Sequence, residues 1–305
     1  MSYLGHDIFL RSLKISGTIE AKSRLHVGAG RDVSSFEESD SPLIRVNFKG
    51  FKLPYIPGSS LKGIFRSTVE YLLTSIGEKV CETYDNRSRC FMAGKQILVE
   101  NRSHNYNELI NAIKNLCGAC KIFGGHNYSS HIFISESIPI DTASVGFDIS
   151  PNIAVNRRDA TAIKGGLFTL EHINPNSRFN FQIQINNLPN YLIGLVFKVI
   201  YLINNGIVLV GGNKRAGLGH IFITLDKIDF RFVKEGKDFS INYNLIDNST
   251  FDNYKCERLE ESESLDYDII IPLSELKGKT KEEFSRIIIK YFMEAWNKYV
   301  AAKES

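Results

Sequence analysis

The chain has 305 residues, 43% of them hydrophobic and 23% charged, with a formal net charge of +3. That balance fits a soluble globular protein of one large or two medium domains. The net charge is too small to argue a nucleic-acid partner by itself, so any basic surface must be local.

In chain order, residues 13–23 alternate Leu13, Ile15, Ile19 and Ala21 against Lys14, Ser16, Thr18, Glu20 and Lys22, the pattern of a half-buried strand. A glycine- and acid-rich loop follows over 26–40. Residues 57–75 predict a helix entered through Ser59 or Ser60, with Leu61, Ile64, Phe65, Thr68, Val69 and Leu72 as its apolar stripe. The polar region 77–125 holds four of the five cysteines and looks like an insertion rather than core. Strands are expected over 131–140, 167–173 and 179–185, then a helix over 191–203, a short strand over 207–210 and a strand over 220–233.

The run 191–210 could be mistaken for a membrane span. Lys198 and the Asn204-Asn205-Gly206 break favour a buried helix plus a strand, so no membrane association is expected. Beyond 234 an acidic run (Glu257, Glu260, Glu261, Glu263) precedes a helix from Thr280. That helix carries Glu283 three residues on, a capping box, and should pack Ile287, Ile288, Tyr291, Phe292 and Ala295 on the core. The order strand, helix, strands, helix, strand suits an α+β, ferredoxin-like split βαβ sheet with both helices on one face.

Asp7 and Arg11 interrupt the start and no small-residue cleavage site follows an apolar run, so an intracellular, cytoplasmic protein is expected. The cysteines then read as metal ligands or thiols rather than disulfides. Cys117 and Cys120 form a CxxC knuckle with Cys81 and Cys90 upstream, a credible structural zinc site. The C-x8-C spacing is loose, however, and His104 or His126 could replace one cysteine. Four unlinked thiols is the competing reading; a redox CxxC lacks a thioredoxin-like βαβ context.

Four further stretches carry candidate chemistry. In LHVGAGRD and FEESDSPLIR, Gly28 and Gly30 loosen the backbone, His26 offers a donor or a stacking ring, and Asp40 precedes Ser-Pro. A carboxylate there could orient an attacking hydroxyl or hold a divalent metal, against the simpler reading of Glu37, Glu38 and Asp40 as a solvated loop. In YIPGSSLKGIFRS, a helix N-terminus with Ser59 and Ser60 brings Lys62 and Arg66 onto one face, suited to phosphate, or else is an ordinary capped helix. In NRRDATAIKGG, Arg157, Arg158 and Lys164 form a polyanion clamp or a solubilising hairpin loop. GGNKRAGLGH sets Lys214 and Arg215 among four glycines but lacks the lysine–hydroxyl pair of a phosphate loop and any GxGxxG.

The order of LHVGAG, DSPLIR, LPYIPGSSLKGIFR, a CxxCxxFG block, an arginine-bearing loop and GGNKRAGLGHI closely resembles one family. It is that of the backbone subunits of type III (Csm/Cmr-type) CRISPR interference complexes, in the RAMP (repeat-associated mysterious protein) superfamily. The resemblance runs from about residue 13 to 226. It implies an RRM-like core over 1–234, with the insertion at 77–125 and a thumb-like β-hairpin at about 146–166, followed by a C-terminal extension over 235–305. It further implies self-association along a guide RNA beside other type III effector subunits, with the thumb disrupting the guide–target duplex.

Target RNA would be cleaved by the aspartate before Ser-Pro, here Asp40, with a divalent metal, magnesium or manganese. His26, Gly28 and Gly30 would help hold RNA; Ser59, Ser60, Lys62 and Arg66 would grip guide phosphates; Arg157 and Arg158 would lie in the thumb, and Lys214 and Arg215 on the glycine loop. A non-catalytic structural subunit and a stand-alone precursor-RNA endonuclease are the alternatives. Two departures stand out: Ala216 where relatives carry arginine before the third glycine of the loop, and Asn156-Arg157 where they carry Asp-Arg.

Overall fold

The computed structural model describes residues 9–29, 39–82, 86–103, 105–156, 158, 159, 161–232, 238–259 and 265–304. Strands β1 (Arg11–Ala21), β2 (Arg45–Phe48) and β3 (Phe51–Pro54) lead into helix α1 (Gly58–Ser75). Helices α2 (Arg89–Ser103), α3 (Tyr106–Lys114) and α4 (Gly118–Phe123) follow, then β4 (Ile132–Ile134), β5 (Phe147–Val155), β6 (Ala162–Ile173), β7 (Arg178–Asn186) and α5 (Asn190–Asn204). The remainder is β8 (Ile221–Phe232), β9 (Phe239–Asn242), β10 (Asn253–Cys256), β11 (Ile269–Pro272) and α6 (Lys281–Glu304). The fold is α+β, as expected.

Five of these strands form one sheet in the order β4-β7-β1-β8-β9, every neighbouring pair antiparallel. Hence β1 and β4 run the same way with β7 between them, and β7 and β8 run the same way with β1 between them. Two crossovers, through α1 and through α5, therefore interleave. Leu13, Ile15 and Ile19 of β1 share one buried core with Phe65 of α1, Leu192 of α5 and Phe292 of α6. The alternating polar positions of β1, such as Lys14, leave the other face wetter.

Several boundaries differ from the sequence expectation, each for a local reason. Helix α1 starts from Pro57, which makes no side-chain cap, and not through Ser59 or Ser60. Proline presets the entry angle, and Gly58 lies so close to the 134–135 backbone that a Cβ would meet the Ile134 carbonyl at 2.2 Å. The expected strand at 207–210 is absent: the amides of Ile207 and Val208 both donate to the Leu202 carbonyl and close the end of α5. The strand expected at 131–140 keeps ladder geometry only over β4; beyond it Ser137 pairs with Ile56 and Pro139 with Phe179 as single bridges.

The region beyond 238 is structurally part of the core. Helix α6 lies along α5, stacking Phe292 on Phe197 with ring centroids 4.1 Å apart and Tyr299 on Tyr191 at 4.2 Å. The two backbones approach so closely that a Cβ on Gly194 would meet the Phe292 carbonyl at 2.6 Å. Thr280 and Glu283 form the expected capping box, with Thr280 N donating to Glu283 Oε2 at 2.9 Å and Glu283 N to Thr280 Oγ1 at 3.3 Å.

The edge of β8 beyond β9 is closed by side chains. Asn204 exchanges two hydrogen bonds with Ile223, and Ser285 two with Leu225. Fully buried Asp266 caps α5, accepting from the amides of Asn190 (3.2 Å) and Tyr191 (2.9 Å). Asp266→Ala leaves two buried donors unsatisfied and should destabilise the chain by about 1–3 kcal/mol in urea unfolding. An unchanged midpoint would show that the cap is dispensable.

Candidate functional site

The site is organised by β6. One edge of β6 pairs with β5; the other receives both ends of the connection between β1 and β2. Leu25 and Ile173 exchange backbone hydrogen bonds of 3.0 and 2.7 Å, and Glu171 N donates to the Ser41 carbonyl at 3.2 Å.

Asp40 lies next to the second anchor, opposite Thr169 on β6, and is exposed. Its Oδ2 accepts from the Thr169 amide at 2.7 Å and the Thr169 hydroxyl at 2.9 Å, while its own amide donates to that hydroxyl at 3.0 Å. The Thr169 amide, then its hydroxyl, hold the Asp40 carboxyl below the usual carboxylate range. Asp40 is therefore ionised and fixed through one oxygen; among the described residues Oδ1 has no hydrogen-bond partner.

Two residues along β6, about 7 Å by strand rise, Glu171 does the same for the rest of the loop. Its buried carboxylate accepts from Leu43 N and from Arg45 Nη2, both at 2.8 Å. The Arg45 guanidinium lies 5.0 Å from the centroid of the Phe147 ring. Thr169, Glu171 and Arg45 hold the Asp40 loop on β6 and were not singled out from the sequence. The available signal was a carboxylate inside the apolar run 167–173, which a buried strand tolerates only when it is paired.

His26 Nδ1 lies 2.7 Å from the Glu171 carbonyl oxygen. A carbonyl only accepts, so Nδ1 carries a proton and its bond to β6 fixes the orientation of the ring. The ring is wedged between Gly28 and Gly212, where an added Cβ would come within 3.0 Å of ring atoms in each case. Gly212 N also donates to the His26 carbonyl at 2.8 Å, and Gly219 N to the Arg24 carbonyl at 2.8 Å. The glycine-rich segment is thus strapped onto the loop after β1. A 3-10 turn, Lys214–Ala216, flanked by Asn213 (φ 53°) and Gly217 (φ 82°), holds Lys214 and Arg215 out in solvent.

His26, Gly28, Asp40, Lys214 and Arg215 are brought onto one side of the molecule through β6 and the glycine loop. Gly30 and Arg157 lie outside the described residues. Arg158 sits exposed at the tip of the β5–β6 hairpin, its amide held by Asn156 Oδ1 at 3.0 Å. That hairpin runs to Ile173, beyond the 146–166 span expected, and exposes Ile149, Ile153, Ile163 and Leu167.

In the first turn of α1, Ser59 is exposed and Ser60 half-buried. Lys62 Nζ donates to Ser130 Oγ at 2.9 Å, and burial followed by repulsion from Arg66 pushes its pKa down. Arg66 turns toward the cysteine knuckle. It donates to Glu70 Oε1 at 2.8 Å, to the Gly124 carbonyl at 3.1 Å and to Cys120 Sγ at 3.8 Å.

The four cysteines of the insertion converge: the sulfurs of Cys81, Cys90, Cys117 and Cys120 all lie within 4.8 Å of one another. Cys81 and Cys120 are 3.3 Å apart, Cys81 and Cys117 3.9 Å, and Cys117 N donates to Cys90 Sγ at 3.1 Å. Four sulfurs around a tetrahedral zinc would stand about 3.8 Å from each other, so the donor set fits that ion. Hydrogen bonds from Cys120 and Cys90 pull the Cys117 thiol well below its usual range, while its bond to Cys117 pushes Cys90 up to about 12. Thiols this close cannot all ionise without a cation among them. His126 lies against Phe91, ring centroids 4.3 Å apart and planes tilted by 31°, and stands outside the cluster; His104 lies outside the described residues.

Among the described residues no helix is long and apolar enough to cross a membrane. Comparison with known proteins gives several relatives. The chain is 25% identical over 270 residues to the CRISPR system Cms endoribonuclease Csm3 of Methanocaldococcus jannaschii, covering 82% of this chain and 91% of the relative. It is 40% identical over 68 residues to the protein of the same name from Methanothermobacter thermautotrophicus, covering 22% of this chain and 27% of that one. For the Enterococcus italicus protein, also of that name, identity is 42% over 55 residues, 18% of this chain and 25% of the relative. The RAMP superfamily pattern matches residues 18–221, more than half of the chain, and spans β1, α1, the cysteine cluster, the β5–β6 hairpin and the glycine loop. The chain belongs to the RAMP superfamily.

Proposed function

We propose that this chain is a guide-RNA-binding backbone subunit of a type III CRISPR complex, and that it cleaves complementary target RNA through Asp40. The observation that carries the reading is the fixed, ionised carboxylate of Asp40 at the root of the β5–β6 hairpin, on a surface shared with His26, Lys214 and Arg215. Strand order β4-β7-β1-β8 with two interleaved crossovers supports an RRM-like core over 1–234, with 235–305 as an added C-terminal part. The exposed apolar side chains of the hairpin support reading it as a thumb that enters a base-paired duplex.

In this reading Lys214 and Arg215, with Ser59, Ser60 and Lys62 of α1, contact guide phosphates, and Arg157 and Arg158 act near the thumb tip. Arg66 contributes by holding α1 against the cysteine knuckle. Neighbouring copies and other type III subunits assemble along the same guide.

Cleavage needs little machinery because RNA carries its own nucleophile. A 2′-hydroxyl aligned on the adjacent phosphorus forms a new P–O bond as the P–O5′ bond breaks, leaving a 2′,3′-cyclic phosphate and a 5′-hydroxyl. The 2′-hydroxyl loses its proton and the leaving oxygen gains one. Asp40 can take the first proton or align the hydroxyl, and its Oδ1 would hold a magnesium or manganese ion, which supplies charge neutralisation at the phosphate.

The test assembles the chain with guide RNA and supplies an end-labelled complementary target. RNA should be cut at regular intervals into cyclic-phosphate products, and a DNA target of the same sequence should resist. Target that returns uncut, or DNA cut equally, would overturn the proposal.

A further inference from the structure

A second site has no residue in common with that of Asp40; it lies where the end of α5 and α6 meet Phe222 at the start of β8. It is a cavity of about 410 Å³, within the size range of small-ligand sites. Two helical stripes face each other across it: Lys198, Tyr201 and Asn205 at spacings of three and four on α5, and Arg286, Lys290 and Met293 on α6. Met293 and Ile289 are buried and form an apolar floor. Tyr201 is 41% exposed and stands as a wall, with the Lys198 ammonium 5.0 Å from its ring centroid.

The charge on this cavity is one-sided. Lys198, Arg286 and Lys290 supply three cations, and no carboxylate is among the lining residues. The nearest acid on β8, Asp226, is already paired with Lys281 at 2.6 Å. Asn204 is held by Ile223, donating to its carbonyl and accepting from its amide, and Asn205 donates to the Tyr201 carbonyl at 2.7 Å. Glu283, one turn before Arg286 on α6, offsets part of that charge; an apolar floor, an exposed aromatic ring and three clustered cations together match a flat aromatic group bearing a phosphate.

We propose that this cavity binds a nucleotide unit, its base against Tyr201 and the Ile289–Met293 floor and its phosphate on Arg286, Lys290 and Lys198. The unit is a free nucleotide or one residue of an RNA strand. The site shares no residue with the Asp40 site, and its lining residue Asn204 meets the end of the glycine loop, where His220 Nε2 lies 3.4 Å from the Asn204 carbonyl oxygen.

The experiment titrates the full chain with adenosine 5′-monophosphate by calorimetry, then with adenosine, inorganic phosphate and an oligo(A) decamer. The monophosphate should bind more tightly than adenosine or phosphate alone. Arg286→Ala with Lys290→Ala, two exposed positions, should weaken it at least tenfold, and Tyr201→Ala should weaken it while leaving the weak phosphate affinity unchanged. Thermal melting checks that each variant is folded. Asp40→Ala should bind the monophosphate normally, so that loss of cleavage and loss of this site are separate outcomes. A decamer much tighter than the monophosphate, with the same sensitivity to the variants, assigns the site to an RNA strand; equal affinities assign it to a free nucleotide. No monophosphate binding, binding indifferent to the α6 double variant, or phosphate competing as well as the monophosphate would each overturn the proposal.

Discussion

Asp40→Asn is expected to slow target-RNA cleavage by about 10²-fold or more, with guide-RNA affinity essentially unchanged. Asparagine keeps the size of the side chain and can still accept from the Thr169 amide, so the loop should stay docked through Ser39, Ser41 and Glu171. What it loses is the negative charge, and with it the ability to take a proton or hold a cation. Thr169→Val separates the positioning from the chemistry. It retains the β-branched shape and the amide donor but removes the hydroxyl that donates to Asp40 Oδ2 and accepts from Asp40 N.

Cleavage by the valine variant should fall by a smaller factor, roughly tenfold for one lost hydrogen bond and a looser carboxylate. The pH profile supplies the signature of a positioning role. Both Thr169 donors lower the Asp40 pKa, so the ionised form survives to lower pH than a free aspartate would. Removing the hydroxyl lets the pKa rise toward its ordinary value, and the acid limb of the rate profile should move to higher pH. Single-turnover cleavage in the assembled complex measures both effects. Normal cutting by Asp40→Asn would remove the catalytic assignment; an unmoved acid limb in Thr169→Val would remove the positioning role.

The sequence was informative wherever the determinant was local. Thr280 and Glu283 are three residues apart, and their capping box appears as expected. The alternation over 179–185 survives in β7 because every second side chain enters the same core. What could not be read was long-range pairing. Asp40 was visible as a carboxylate before Ser-Pro, but its partner Thr169 lies 129 residues away and nothing local marks it. Likewise Asp266 caps α5 from a segment that sequence alone separates from the core. The apolar run 207–210 satisfied strand propensity, yet the amides of Ile207 and Val208 were taken by the Leu202 carbonyl, so tertiary context overrode it. Lys62 and Arg66 share a helical spacing, but Arg66 found a buried acceptor set at the knuckle.

Zinc removal should be the largest structural perturbation. Purified protein is expected to carry about one zinc per chain, and Cys117→Ser with Cys120→Ser, or a strong chelator, should destabilise it by more than about 4 kcal/mol. The reason lies in what else holds the insertion together. Its own cluster is small: Ala93, Ile97, Ala112, Ile113, Leu116 and Tyr128 bury a modest apolar area around the cysteines themselves. A few residues of this kind do not stabilise three helices alone, so a tetrathiolate link between α4, α2 and the segment after α1 would replace missing core.

The loss should propagate to α1, because Arg66 anchors that helix to the Gly124 carbonyl and Cys120 Sγ. RNA affinity should therefore fall along with stability, although none of the four sulfurs needs to touch RNA. Elemental analysis, chelator-dependent unfolding and RNA binding on the same preparations test the chain of cause. Protein that purifies without zinc and unfolds identically with and without chelator would sink the metal site, and zinc loss with unchanged RNA affinity would sink its coupling to α1.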